Sequence, residues 1–110
     1  MPSPTLPPVA DPLHPIALEL RHLRLALAVS QEGSLTRAGE RLHLTQSALS
    51  HQLREIESRL GVPLFLRVRR RLVLTDAGRR VVESSRELLP RVVELEHELR
   101  GRAAGLAAAS

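Results

Sequence analysis

A chain of 110 residues has room for one domain, and 43% hydrophobic with 25% charged residues is an ordinary globular balance. One Phe, no Tyr and no Trp argue against an aromatic stacking platform for single-stranded nucleic acid. The lack of cysteine excludes disulfides, thiolate zinc sites and a Cys nucleophile. The formal charge is +4 and every basic residue is Arg; residues 34–82 carry a net +6, whereas the segments on either side each carry −1.

Positive charge gathered in mid-chain is what a polyanion-binding surface requires. No uncharged apolar run approaches the roughly 20 residues of a membrane span. The N-terminus has prolines where a secretory signal would carry a basic region and a smooth apolar stretch, so a cytoplasmic protein without membrane partners is expected.

Residues 1–17 hold six of the eight prolines and read as a disordered leader, with few backbone donors and no apolar face. From Leu18 to Glu32, Leu20, Leu23, Ala26, Leu27 and Val29 form a helical face that Gly33 stops. Ser34 can cap a short second helix with Leu35, Ala38 and Leu42 on its apolar side. Only His43 and Leu44 then precede Thr45, a second candidate N-cap. The third helix spans about Gln46 to Leu60 and ends at Gly61, a left-handed C-cap with Pro63 beyond. Two helices joined by so short a turn describe a helix-turn-helix.

Residues 63–68 and 72–74 are apolar runs flanking Arg69, Arg70 and Arg71, a small hairpin whose tip lacks the Gly or Asn that would define its turn. Thr75 can cap a last helix of about 40 Å that runs to Arg102, with residues 103–110 a small-residue flexible tail. The predicted fold is mainly α: a winged helix-turn-helix of three helices and a two-stranded wing over 18–75, then a dimerisation helix over 76–102.

On a wheel of about 100° per residue, Leu49, Leu53, Ile56 and Leu60 form one arc of the third helix. Ser47, Ser50, His51 and Arg54 lie opposite: short side chains near the N-terminus, longer donors behind, as a helix entering a major groove needs. An ordinary solvated face gives the same pattern. In the last helix Val81, Ser85, Leu88, Val92, Leu95 and Leu99 recur at spacings of three and four, a coiled-coil seam that a second copy would cover. Packing on its own domain is the alternative, best suited to Val81. Pro90 lies off the seam and predicts a bend between Arg86 and Pro90.

Ser34–Leu53, with Ile56-Glu57, Leu60-Gly61, Pro63-Leu64-Phe65 and Leu74-Thr75-Asp76-Ala77-Gly78, strongly resembles the DNA-binding domain of LysR-type bacterial transcriptional regulators. The likeness covers about residues 18–100, and Thr45 to Gln52 is most similar to the methionine-biosynthesis regulators of that family. Gly39 stands where the family more usually has Ala, a change expected to loosen the second helix by up to ~1 kcal/mol.

The resemblance implies sequence-specific binding of double-stranded DNA as a homodimer on a pseudo-palindrome. It implies base contacts from Gln46, Ser47, Ser50, His51 and Arg54, and it implies backbone contacts from Ser34, Thr36, Arg37, Thr45 and the wing arginines 69–71. For Ser34 and Thr45 simple capping is an equal reading, and the Arg triplet has a solvated patch as its alternative. The family carries a C-terminal effector-binding domain beyond the long helix, so a small-molecule effector is expected only of a full-length protein.

A protein adaptor using the long helix is a rival reading, against which the cationic recognition face speaks. An enzyme is a third. His14, His22, His43 and His97 are scattered without a carboxylate at ligand spacing, and no nucleophile–base arrangement or phosphate-cradling Gly loop is present, so neither catalysis, a metal nor a cofactor is expected.

Overall fold

The computed structural model describes the backbone of residues 11–109 and the side chains through residue 105. The first ten residues of the expected leader lie outside that range; residues 11–19 form neither helix nor strand, with a turn in which the Asp11 carboxylate accepts from the Leu13 N–H at 3.0 Å. Helix α1 (Leu20–Glu32) follows, then α2 (Leu35–Leu42), α3 (Gln46–Leu60), strands β1 (Phe65–Val68) and β2 (Arg71–Leu74), and α4 (Asp76–Ala109).

The caps follow the local chemistry of the sequence. Ser34 Oγ accepts from the Arg37 N–H at 3.3 Å and Thr45 Oγ1 from the Ala48 N–H at 3.1 Å, each satisfying a donor in a helix's first turn. Thr75 Oγ1 does the same for the Gly78 N–H at 3.0 Å. Gly33 and Gly61 end α1 and α3 in the left-handed region. His43, at φ 58°, ends α2 in the same way without being glycine.

Helix α1 is the centre of the domain and packs against α2, α3 and α4. Leu25, Ala26, Ala28 and Val29 meet Ala38 of α2, Leu49, Leu53 and Ile56 of α3, Leu64 and Phe65 at the wing base, and Val82 of α4. Leu20 and Leu60, expected on the apolar arcs, sit at the ends of their helices and are substantially exposed.

Gly39 departs from the expectation of a loosened helix. It is buried, and a Cβ there would lie 2.7 Å from the Leu44 carbonyl oxygen. Its missing side chain lets the turn close on α2, where the Leu44 N–H donates to the Gly39 carbonyl at 2.8 Å.

The wing is an antiparallel pair with Phe65 opposite Leu74 and Val68 opposite Arg71. The turn is thus only Arg69-Arg70, and Arg71 already belongs to β2. Both turn residues have positive φ, 50° and 69°, the backbone that two-residue type I′ hairpins demand. Strand alternation sets Phe65, Arg67, Leu72 and Leu74 on one face and Leu66, Val68, Arg71 and Val73 on the other. At the base the Glu57 carboxylate accepts from the Leu64 N–H at 2.6 Å, and the Thr75 hydroxyl donates to the Pro63 carbonyl at 2.6 Å. The end of α3 and the start of α4 therefore hold the wing from both sides.

Helix α4 is longer than the sequence predicts. It continues through Pro90, where one intrahelical bond is forfeited, and through Gly101 and Gly105 to Ala109, about 51 Å at 1.5 Å per residue. The expected tail from residue 103 is helical as far as Ala109, because its alanines are the strongest helix formers and outweigh Gly105.

The histidines are less isolated than their spacing suggests. His22 is buried; its Nδ1 accepts from the Glu19 N–H at 3.0 Å, so its proton lies on Nε2, 3.2 Å from Glu55 Oε1. Glu19, His22 and Glu55 thus gather as a potential ligand set that sequence spacing, which shows no carboxylate at ligand distance from a histidine, does not reveal. Arg21 and Arg59 already neutralise both carboxylates, at 2.8 to 3.6 Å. The cluster reads as a buried-edge ion network tying α1 to α3.

The network sets an acid limit on stability. The His22 N–H, with Arg59 and Arg21 beside it, holds the Glu55 carboxyl below its ordinary value of 4.5, and hydrogen bonds from Arg21 and Arg59 lower Glu19 likewise. A lowered folded-state value gives stability that is present above the unfolded value and lost as pH falls through the folded one. Thermal melts between about pH 5 and 3 should show a smaller fall in midpoint for Glu55→Gln than for the parent. Parallel curves would mean that the network is not titrating.

Candidate nucleic-acid interface

One surface collects most of the residues singled out from the sequence. The first turn and outer face of α3 carry Gln46, Ser47, His51 and Arg54, all exposed, with Ser50 half-buried beside them. The buried side of the same helix anchors it through Leu49, Leu53 and Ile56, so the exposed arc is held against a rigid core. Thr36 and Arg37 stand exposed in the first turn of α2. Ser34 and Thr45 act as N-caps, which leaves the remaining first-turn N–H groups of both helices open to an anionic acceptor.

The wing closes one side. A cleft of about 230 Å³ runs between it and the two helix N-termini, lined by Ser34, Thr36, Gln46, Arg67, Arg70 and Leu72. Of the predicted triplet, Arg70 lines this cleft, Arg69 shares the turn, and Arg71 lies on the opposite face of the hairpin. Arg67 is not among the residues the sequence singles out. Its signal is present in the two-residue alternation of β1, which puts it on the face of Phe65, but that signal cannot be used until the register is known.

Unpaired positive charge is concentrated here without being confined to it. Among the described residues Arg21, Arg41, Arg59, Arg79, Arg100 and Arg102 pair with carboxylates. Arg37, Arg54, Arg67, Arg69, Arg70 and Arg71 make no such pair, and neither do Arg24, Arg80, Arg86 and Arg91 on α1 and α4; the recognition helix, the start of α2 and the wing thus hold six of the ten unneutralised guanidinium groups. Such groups bind phosphate-like anions, while the amide of Gln46 and the ring N–H of His51 can donate to planar acceptors.

Residues 20–79 match the family described as bacterial regulatory helix-turn-helix protein, lysR family. The chain belongs to the LysR family. It is 44% identical over 87 residues to the HTH-type transcriptional regulator MetR of Haemophilus influenzae, a match covering 79% of this chain and 28% of that protein. It is 44% identical over 82 residues to the RuBisCO operon transcriptional regulator of Allochromatium vinosum, covering 74% and 27%. The chain therefore spans about a quarter of the length of these curated relatives.

The LysR-type winged helix-turn-helix is also what the solved structures match. The BenM_DBD/benA site 1 DNA complex superposes with a TM-score of 0.72 at 34% identity, over 80% of this chain and 99% of that one. The CbnR_DBD–DNA complex does so at 0.69 and 32%, over 78% and 99%. Three helices, a two-stranded antiparallel wing and a long last helix are common to the architecture.

The predicted seam of α4 is only partly free. Ser85 is fully buried against its own domain, with its hydroxyl donating to the Val81 carbonyl at 2.7 Å, and Val81 and Val92 are half-buried. Ser85 is thus removed from the expected contact with a second copy, because the helix turns that face toward α1. Leu88, Leu95 and Leu99 are exposed, joined by Val93, which lies outside the predicted seam. Among the described residues no helix is long and apolar enough to cross a membrane.

Proposed function

We propose that this LysR-family domain binds double-stranded DNA sequence-specifically, as a homodimer joined along α4, and catalyses no reaction. The observation that carries the reading is the set of unpaired arginines around an α3 face whose short and planar polar side chains point outward. In it Gln46, Ser47, Ser50, His51 and Arg54 read base edges in a major groove. Ser34, Thr36, Arg37 and Thr45 meet the phosphates on one side, and Arg67, Arg69 and Arg70 meet them on the other, with Arg71 on the far face of the hairpin contributing charge alone. The complexes formed by BenM_DBD and CbnR_DBD with DNA support this placement by analogy of fold.

The homodimer rests on the apolar residues that α4 leaves uncovered. Leu88, Leu95 and Leu99 are each about half exposed and share one face of α4 at about 100° per residue, while Val93 lies on the side of the groove between α1 and α4 lined by Leu27, Arg86, Leu89, Pro90, Val93 and Glu94. A second copy of the same helix covers the stripe of Leu88, Val92, Leu95 and Leu99 symmetrically, while Val81 and Ser85 stay with their own domain. Binding of double-stranded DNA is the ground on which a cytoplasmic place of action is proposed.

In-vitro selection of bound duplexes from a random pool is the decisive measurement. It should return a two-fold symmetric site with half-sites one or two helical turns apart. His51→Ala and Gln46→Ala should each then reduce discrimination at particular base pairs by about 1–3 kcal/mol, with little change on random duplex. Equal losses on selected and random DNA would remove these residues from base readout, and an asymmetric single half-site would remove the dimer.

A further inference from the structure

The helix-turn-helix contains a side-chain contact that ties its two first turns together: the Thr36 hydroxyl donates to Gln46 Oε1 at 3.1 Å. Thr36 is the second residue of α2 and Gln46 the first of α3, ten residues on. Their meeting is fixed by backbone. His43 in the left-handed region reverses the chain, the Leu44 N–H closes onto the Gly39 carbonyl, and Gly39 has no Cβ to hold that turn away.

The consequence lies in the amide. An exposed glutamine is a flexible side chain, and its amide can present oxygen or nitrogen to either side. A hydroxyl on one lone pair of Oε1 selects one orientation and leaves the second lone pair and both Nε2 hydrogens unused. Adenine offers one donor, N6–H, beside one acceptor, N7, and matches that remaining pair.

We propose that Thr36 is a positioning residue for base readout: it holds the Gln46 amide so that the free lone pair of Oε1 and the Nε2–H face adenine together. This rests on the reading of Gln46 as a base contact. It also reassigns Thr36, because a hydroxyl has one hydrogen and that hydrogen is given to Gln46 rather than to a phosphate. Arg67 and Arg70, across the same cleft, are left to hold the phosphate.

The test uses the duplex recovered by selection and the same duplex with the Gln46-dependent base pair changed, with Kd measured by fluorescence anisotropy at several salt concentrations. Thr36→Val should lower the discrimination between the two duplexes about three- to tenfold, the effect of freeing one ordered side chain. Affinity for random duplex and the salt slope should not move. Thr36→Ser, which keeps the hydroxyl, should restore discrimination, and Thr36→Val should add nothing in a Gln46→Ala background.

A uniform loss on every duplex with a shallower salt slope would show a phosphate contact instead and overturn the proposal. Unchanged discrimination in Thr36→Val, with Gln46→Ala still impaired, would overturn it while leaving Gln46 in place. If Gln46→Ala itself left discrimination intact, the base-contact reading would fall and this proposal with it. Equal helicity and urea midpoints for the parent and the four variants would exclude misfolding as the cause.

Discussion

Replacing Gly78 with alanine should destabilise the domain by about 3 kcal/mol, the upper end of what inserting one buried methyl group usually costs. The reason is the neighbour. A Cβ at residue 78 would lie 2.0 Å from the Leu64 carbonyl oxygen and 2.9 Å from its carbon. Both are backbone atoms and cannot rotate away as a side-chain end would.

The Leu64 carbonyl is moreover engaged, accepting from the Thr75 N–H at 3.0 Å, while the Leu64 N–H is held by Glu57. Relief therefore requires α4 and the base of the wing to separate. Against a total stability of roughly 5–15 kcal/mol for a small domain, that is a large fraction. Urea unfolding followed by circular dichroism checks it. The folded remainder should also bind duplex more weakly, since Arg67 and Arg70 are carried on the displaced hairpin. A change below about 0.5 kcal/mol would show that the close approach at Gly78 is not required.

A second substitution should move stability and binding in opposite directions. Arg69 and Arg70 both occupy the left-handed region, which costs a non-glycine residue roughly 1–2 kcal/mol. Asn and Gly are the residues that a two-residue turn of this kind favours. Arg69→Asn combined with Arg70→Gly should therefore raise the unfolding free energy by about 1–2 kcal/mol.

The same change removes two unpaired guanidinium groups from the wing tip, one of them, Arg70, lining the cleft. Affinity for every duplex should fall together, and the slope of log K against log salt should become shallower by about 0.9 for each phosphate that the wing ceases to neutralise. Arg70→Lys separates the two effects: it retains the charge and the strain, so stability and salt slope should both stay near the parent values. A double variant that bound DNA as tightly as the parent would mean that the turn arginines are solvated and that strain at the tip serves no contact.

That strain also marks the limit of local reasoning about the hairpin. Its existence follows from two apolar runs around a polar tip. Its turn does not, because Arg-Arg is not a pair that selects positive φ, and here the pairing of Phe65 with Leu74 and Val68 with Arg71 imposes the turn from outside. Arg67 escapes local reasoning for the same cause: whether an arginine in a strand faces the cleft or the solvent depends on register, and register is a tertiary quantity.

Much of the framework is written in short-range chemistry. Ser34, Thr45 and Thr75 cap the next helix through their own hydroxyls, Gly61 ends α3 in the only region it tolerates better than its neighbours, and Leu49, Leu53 and Ile56 recur at the helical period. These properties depend on residues within four positions of one another, so the amino-acid order alone determines them. It determines likewise where the positive charge gathers and which face of α3 remains polar.

What the order could not settle depends on segments meeting. His22 finds Glu55 thirty-three residues away, Glu57 reaches past the turn to the wing base, Gly39 and Gly78 are required by carbonyls from other segments, and Ser85 is claimed by α1 rather than by a second copy. The bond between Thr36 and Gln46 exists only because the turn at His43 and Leu44 brings the first turns of α2 and α3 together. Periodicity and caps are legible in the amino-acid order because those are nearest-neighbour effects; packing decides which buried polar groups are paired and which arginines stay bare, because both depend on distances that no local pattern encodes.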